Sequence, residues 1–161
     1  MREENKMTIG FALAVLGAAL AACAGVGSAL GVGIAGEAAD GVMAGGNTSF
    51  GATLVLQALP GTQGIYGMVI AIMIMTKIGV LGTPVAVTTA QGIALLAAGA
   101  PIGLVGIWSG MSQGKAAAAG IQLVSKGGSL GNAIIYAVMV ETYAILAFII
   151  SFLMYNGIVV G

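Results

Sequence analysis

Four long apolar stretches, separated by short polar or glycine-rich breaks, set the hydrophobic pattern of this chain. They cover about residues 7–43, 50–78, 84–126 and 130–155. A helix crosses the roughly 30 Å hydrocarbon core of a bilayer in about 20 residues, so each stretch is long enough to span it. The pattern predicts an all-α membrane protein whose four transmembrane helices form two tandem hairpins, residues 1–78 and 84–161.

Composition supports the membrane class and excludes several functions. Hydrophobic residues make up 59% of the 161 positions and charged residues only 6%, which is too apolar for a soluble domain of this size. Five basic and five acidic residues balance, so the chain has no basic surface for nucleic acid. Histidine is absent and cysteine occurs once, which excludes a multi-thiolate or histidine metal site. Gly114-Lys115 lacks the rest of a phosphate-binding loop, so we do not expect this chain to bind ATP.

The N-terminal segment allows two interpretations. Arg2 and Lys6, followed by an apolar run that ends in Leu20-Ala21-Ala22-Cys23, imitate the signal peptide of a bacterial lipoprotein. Cleavage before Cys23 would divide the first apolar stretch, and the sequence after Cys23 continues as a glycine-rich membrane segment rather than as a polar domain. We therefore favour Cys23 as a small packing residue.

The two hairpins show a weak internal repeat. Setting Gly51 against Gly131 also aligns Thr62 with Thr142. The same alignment places Gly61 opposite Glu141, so the pair of hairpins has a single carboxylate at this position. Glycine and alanine are concentrated in the first and third helices, where small residues let backbones approach closely in lipid. We expect these two helices to form a tight inner layer.

Glu141 lies in the middle of the fourth apolar stretch. An ionisable group at that depth costs about 2.5 to 3.5 kcal/mol on insertion, which makes it a functional candidate. Glu141 follows the turn at Gly127 by as many residues as Gln113 precedes that turn on the antiparallel third helix. Gln63 follows Ser49, in the turn of the first hairpin, by the same number of residues. Because the rise per residue is constant along an α-helix, the three side chains are predicted to share one depth.

Pro60 precedes Gln63 and must kink the second helix, because proline lacks an N–H and its ring clashes with the preceding turn. Backbone carbonyls at such a kink can bind a cation. Thr62 and Tyr66 are one turn apart and carry hydroxyl groups on the side of the kink. One carboxylate with amide, hydroxyl and carbonyl oxygens suits a hard monovalent cation. The alternative is a network of interhelical hydrogen bonds without an ion, although such a network does not require a carboxylate.

Three motifs in this order, namely Pro60-Gly61-Thr62-Gln63-Gly64, Gln113-Gly114-Lys115 and Val140-Glu141-Thr142-Tyr143, resemble the proteolipid (K) subunits of bacterial V-type sodium ATPases. The resemblance covers nearly the whole chain. It implies that Glu141 is the carboxylate that binds the transported Na⁺. It further implies that Thr62, Gln63, Gln113 and the backbone carbonyl of Leu59 complete the Na⁺ shell, and that Tyr66 closes the site with a hydrogen bond to Glu141.

The resemblance also implies an assembly. Copies of the chain would form a homo-oligomeric ring in the lipid of the bacterial cell membrane, with the odd helices inside. Central-stalk subunits would turn this ring against a membrane stator subunit that supplies an arginine, while other subunits hydrolyse ATP. Both glycine-rich turns would be cytoplasmic and both termini outside. A proton-carrying ring of the same fold stays open as an alternative, and so, with less support, does a small static channel.

Overall fold

The computed structural model describes residues 8–46 and 48–161 and confirms the four-helix prediction. Within these residues, four helices are long and apolar enough to cross a membrane. They are the first span, Ile9–Ala44, the second span, Phe50–Lys77, the third span, Thr89–Ser125, and the fourth span, Leu130–Gly157. Arg2, Lys6 and the predicted helix start at residue 7 lie outside the described residues.

Hydroxyl side chains cap the start of every span. The N-cap residues are Thr8, Ser49, Thr88 and Ser129, each accepting a hydrogen bond from a backbone N–H in the first turn. The third span, predicted from about residue 84, begins at Thr89. The reason is a reciprocal capping box, in which the side chains of Thr88 and Gln91 each bond the backbone N–H of the other residue.

The first two spans are each interrupted once. In the first span, Cys23 separates Ile9–Ala22 from Ala24–Ala44, and the helical path continues through it. Its Sγ donates to the carbonyl of Ala19 at 3.3 Å, one turn earlier in the same helix. In the second span, a 3₁₀ turn at Leu59–Gly61 joins Phe50–Ala58 to Thr62–Lys77. This turn lies at the predicted proline kink.

The first and third spans touch through their backbones. We call this contact the glycine seam. It consists of Gly17, Gly27 and Gly31 of the first span with Gly99, Gly103, Gly110 and Gly114 of the third. A Cβ atom added at any of these glycines would lie within 2.5 Å of a backbone atom of the opposite span. No side chain fits at these positions, so the contact there depends on glycine.

The second and fourth spans pack against this pair, and the fourth packs mainly on the third. One apolar cluster, including Ile74 and Leu95, fills the half near the termini. A second, including Leu56 and Ile121, fills the half near the glycine-rich turns. Between the two clusters, every span contributes a buried polar side chain: Ser28, Gln63, Ser109, Gln113 and Glu141. The fold therefore encloses one polar layer between two apolar ones.

Candidate ion-binding site

Glu141 is buried in this polar layer with both carboxylate oxygens bonded. Oε1 accepts a hydrogen bond of 2.6 Å from the hydroxyl of Tyr66, on the second span. Oε2 accepts one of 3.3 Å from Nε2 of Gln113, on the third span. Only 8% of Glu141 is exposed, even in an isolated chain. Its donors in the described structure are neutral groups, so they do not balance the negative charge of an ionised carboxylate.

Gln113 connects the carboxylate to the second span. Its Oε1 accepts a short hydrogen bond from Nε2 of Gln63, and both glutamine side chains are fully buried. The residues that helix counting placed at one depth are therefore in contact. Every buried side-chain polar atom in the described part of the chain has a hydrogen-bond partner, so the polar layer is internally satisfied.

The 3₁₀ turn gathers further oxygens beside Gln63. The Thr62 hydroxyl donates to the carbonyl of Leu59 at 3.1 Å, and the same carbonyl accepts from the backbone N–H of Thr62. The hydroxyl oxygen is also 3.5 Å from Oε1 of Gln63. That distance exceeds the usual range of roughly 2.5 to 3.0 Å for an O–H···O bond, so Oε1 of Gln63 is weakly held. Three oxygens from one turn thus lie next to one another, and one of them, Oε1 of Gln63, has a lone pair free for a further partner.

The predicted site residues form one connected network. It runs from Leu59 through Thr62, Gln63 and Gln113 to Glu141, and ends at Tyr66. One detail differs from the ligand set that the resemblance implies, because Gln113 directs its amide nitrogen, not its oxygen, at the carboxylate. Half a turn of the amide group would exchange the two atoms.

Two serines in the polar layer were missed from the sequence. The hydroxyl of Ser109 accepts from Nε2 of Gln63 at 3.3 Å and donates to the carbonyl of Val140 at 3.2 Å. The hydroxyl of Ser28 accepts from the backbone N–H of Gly64 at 2.8 Å. Ser109 lies one helical turn before Gln113, which places both on one helix face, and this spacing was the available signal.

The other charged side chains of residues 8–161 lie away from this site. Glu37, Asp40, Lys115 and Lys126 are exposed. Lys77 donates from Nζ to the carbonyls of Tyr155 and Ile158, both at 2.7 Å, and thereby caps the end of the fourth span. The described residues contain no group of three or more His, Cys, Asp or Glu side chains that could hold a metal ion. The candidate site therefore has one carboxylate within a shell of neutral groups.

Comparison with known proteins supports the duplicated hairpin. The sequence profile of the ATP synthase C-subunit family matches residues 16–74 and again residues 96–154. The chain is 49% identical over 147 residues to the V-type sodium ATPase subunit K of Enterococcus hirae, covering 90% of this chain and 91% of that protein. It is 39% identical over 151 residues to the A-type ATP synthase subunit K of Methanocaldococcus jannaschii, covering 92% of this chain and 64% of that protein.

Both profile matches lie within the four spans, one in each hairpin, and together they include every residue of the Glu141 network. This chain belongs to the ATP synthase C-subunit family, with the family's helical hairpin present twice in tandem.

Proposed function

We propose that this chain is the Na⁺-carrying subunit of a homo-oligomeric rotor ring in a V-type rotary ATPase, and that it hydrolyses no ATP itself. The observation that carries the proposal is Glu141, a buried carboxylate at mid-span whose donors in the described structure are neutral. An ionised carboxylate in that position is costly without a positive charge beside it. The sodium ATPase subunit of Enterococcus hirae is a relative over nearly the full length of this chain.

The proposed Na⁺ shell combines both hairpins. Glu141 supplies the charge, while Gln63 Oε1, the Thr62 hydroxyl and the Leu59 carbonyl supply neutral oxygens from one turn. Gln113 adds its oxygen after its amide turns. Such an all-oxygen set suits a hard cation, and a single carboxylate balances a monovalent one. Tyr66 holds the other carboxylate oxygen and keeps the site closed while it faces lipid.

Ring assembly is supported by the outer surface of the chain. Trp108 is 69% exposed, Tyr136 68% and Tyr143 66%, which in a membrane places them against lipid or a neighbouring copy. A groove of about 400 Å³ between the third and fourth spans is lined by Trp108 and Tyr143 and reaches Ser109 and Val140 beside the site. In the proposed ring, the glycine seam faces inward and neighbouring copies, with lipid, cover this outer surface.

The transport cycle then follows from charge. With Na⁺ bound, the site is neutral and can pass through lipid as the ring turns. Beside the membrane stator subunit, an arginine and a water-filled half-channel stabilise the bare carboxylate and release the ion. Each charge moved across a potential of roughly 100 mV changes the free energy by about 2.3 kcal/mol, which couples rotation to the membrane potential.

The proposed placement is the bacterial cell membrane, with the glycine-rich turns in the cytoplasm and the termini outside. Exposed Glu37, Asp40 and Lys126 near those turns are read first as solvated helix ends, and as candidate contacts for the central-stalk subunits second. Subunits of the stalk and head would then turn the ring and hydrolyse ATP.

Carbodiimide labelling tests the ion. Dicyclohexylcarbodiimide modifies a protonated buried carboxyl, so bound Na⁺ should slow labelling of Glu141 in the purified protein. Millimolar NaCl should protect the parent chain, whereas KCl or choline chloride at equal ionic strength should not. Glu141→Gln should remain unlabelled under all conditions. Labelling of Glu141 that millimolar Na⁺ leaves unchanged at every pH would mean that the ring carries protons, and the sodium proposal would be wrong.

A further inference from the structure

Hydroxyl side chains in the described helices bond in two ways. Most donate to a carbonyl about one turn earlier in their own helix, as Thr53, Thr76, Ser125 and Thr142 do. Buried Ser28, Ser109 and Ser151 instead bond to a different span. The hydrogen bonds of this second group connect one span to another.

Among these three serines, Ser109 has a different type of partner. Ser28 and Ser151 each accept a backbone N–H, from Gly64 and Ile102, close behind a proline in the partner helix. They therefore serve backbone groups at proline sites. Ser109 accepts instead from a side chain of the proposed ion shell, Nε2 of Gln63.

The other bond of Ser109 reaches the backbone beside the carboxylate. Its hydroxyl donates to the carbonyl of Val140, the residue before Glu141. This one side chain on the third span thus contacts the second span at the neutral shell and the fourth span at the charge. Ser109 is only 5% exposed, although it lines the groove between the third and fourth spans.

We propose that Ser109 is a positioning residue for Na⁺ binding, which fixes the nitrogen end of the Gln63 amide and so turns Gln63 Oε1 toward the ion. The inference rests on the proposed function. In the present arrangement Gln63 Nε2 has two acceptors, Ser109 Oγ and Gln113 Oε1. When Gln113 turns its oxygen to a cation at Glu141, that second acceptor is withdrawn. Ser109 is then the remaining partner that keeps Gln63 from rotating.

Binding of Na⁺ and binding of a proton at Glu141 should therefore depend on Ser109 to different extents. A proton binds to the carboxylate and leaves the amide network as it is, whereas Na⁺ requires the oxygen of Gln63. Ser109→Ala should weaken Na⁺ binding about tenfold, the equivalent of losing one buried hydrogen bond. Proton binding should change by less than about twofold. A residue that only stabilised the fold would not separate the two affinities.

The experiment uses the full-length chain, purified as the assembled protein in detergent. Calorimetry at fixed pH gives the Na⁺ affinity, and carbodiimide labelling against pH without Na⁺ gives the proton affinity. Ser109→Thr keeps the hydroxyl, and the adjoining groove has room for its methyl group, so it should restore Na⁺ affinity. Ser112→Ala, an exposed serine on the same span and groove, is the matched control and should resemble the parent. If Ser109→Ala does not assemble, Ser109→Cys has nearly the same volume as serine and a much weaker hydrogen bond.

The outcomes separate this inference from the proposed function. A parent chain without Na⁺ affinity would overturn the sodium function. A parent that binds Na⁺ while Ser109→Ala or Ser109→Cys binds it equally well would overturn the role of Ser109 alone. Equal losses of Na⁺ and proton affinity would show that Ser109 only stabilises the fold, and would overturn its positioning role.

Discussion

The two hairpins have the same helical plan, yet each brings a different chemical component to the polar layer. The second span is interrupted by a 3₁₀ turn at Pro60 and gathers neutral oxygens around Gln63, and Gly61 is the position that the repeat aligns with Glu141. The fourth span is a regular helix from Leu130 to Gly157 and carries the carboxylate. In the proposed site, the first repeat therefore provides most of the neutral oxygens, and the second provides the charge together with Gln113.

This division has a physical advantage. A carboxylate at each repeat would bury two charges per chain, each of them costly without a cation. A kink is also better placed away from the charged residue, because a straight helix fixes the depth of Glu141 while the irregular turn supplies carbonyl and hydroxyl oxygens. In the proposed site, a bound ion would contact both hairpins close to the point where Gln63 and Gln113 meet.

Removing the charge of Glu141 should have the largest effect on ion binding between the two hairpins. Glu141→Gln keeps side-chain shape and hydrogen-bonding capacity but cannot balance a cation, so we expect no measurable Na⁺ binding and no ATP-driven Na⁺ uptake, with assembly intact. Radioactive Na⁺ uptake into vesicles containing the complex measures this. Thr76→Val, which removes an exposed hydroxyl outside the Glu141 network, should transport normally. Uptake retained by the Glu141 variant would remove this residue from the mechanism.

Separating the inner helices should have the next largest effect. A Cβ at Gly99 would lie 2.1 Å from the carbonyl oxygen of Gly17, so Gly99→Leu must displace one backbone. We expect a loss of stability of at least about 1 to 3 kcal/mol, the usual cost of overpacking, and impaired assembly. Gly41→Leu is the control, since a Cβ there meets nothing within 4 Å. Thermal unfolding in detergent compares the two, and equal melting temperatures would contradict the glycine seam.

Removing one neutral ligand should have a smaller and more selective effect. Gln63→Ala should weaken Na⁺ binding at least about tenfold while leaving proton binding nearly unchanged, because a proton needs only the carboxylate. In the parent, Na⁺ affinity should fall as the pH is lowered, by up to about tenfold per pH unit where one proton leaves for each ion bound. Calorimetry across pH measures both effects. Gln57→Ala on the same span is the control, and equal losses of Na⁺ and proton affinity would assign Gln63 to the fold alone.

Adding a charge to the first hairpin should change ion binding least. A Cβ at Gly61 meets only Val32, at 3.9 Å, so the backbone here leaves room for the side chain of Gly61→Glu to begin. The matching position of the fourth span lacks the amide oxygen, because the repeat aligns Gln63 with Tyr143, which is 66% exposed. We expect the binding stoichiometry to stay at one Na⁺ per chain, with Gly61→Gln as the uncharged control. Two ions per chain would show that the hairpins differ only in their carboxylate.

Helix counting from the turns predicted which residues would meet, because the rise per residue is constant and tight turns fix where antiparallel helices begin. This reasoning brought Gln63, Gln113 and Glu141 together from the sequence alone. The duplicated hairpin was also predicted, and the two family matches confirm it.

The sequence did not determine the direction of side-chain hydrogen bonds. It also did not determine which of several possible partners a polar group would bond. An amide can present either end, so nothing in the sequence set the orientation of Gln113. Ser109 was overlooked because a serine within a helix usually bonds to its own backbone. The start of the third span was placed too early, since hydropathy continues through residues 84–88 while the capping box of Thr88 and Gln91 delays the helix.

The glycine seam has a consequence for how the chain would bear load. Side-chain contacts can yield to twisting by changing rotamer, but a contact between two backbones has no rotamers to change and loses no side-chain entropy when it forms. The inner pair of helices should therefore be torsionally stiff along the seam, from Gly17 to Gly31 of the first span. In a rotating ring, such a pair would hold the depth of Glu141 in register with the half near the termini, with little elastic lag.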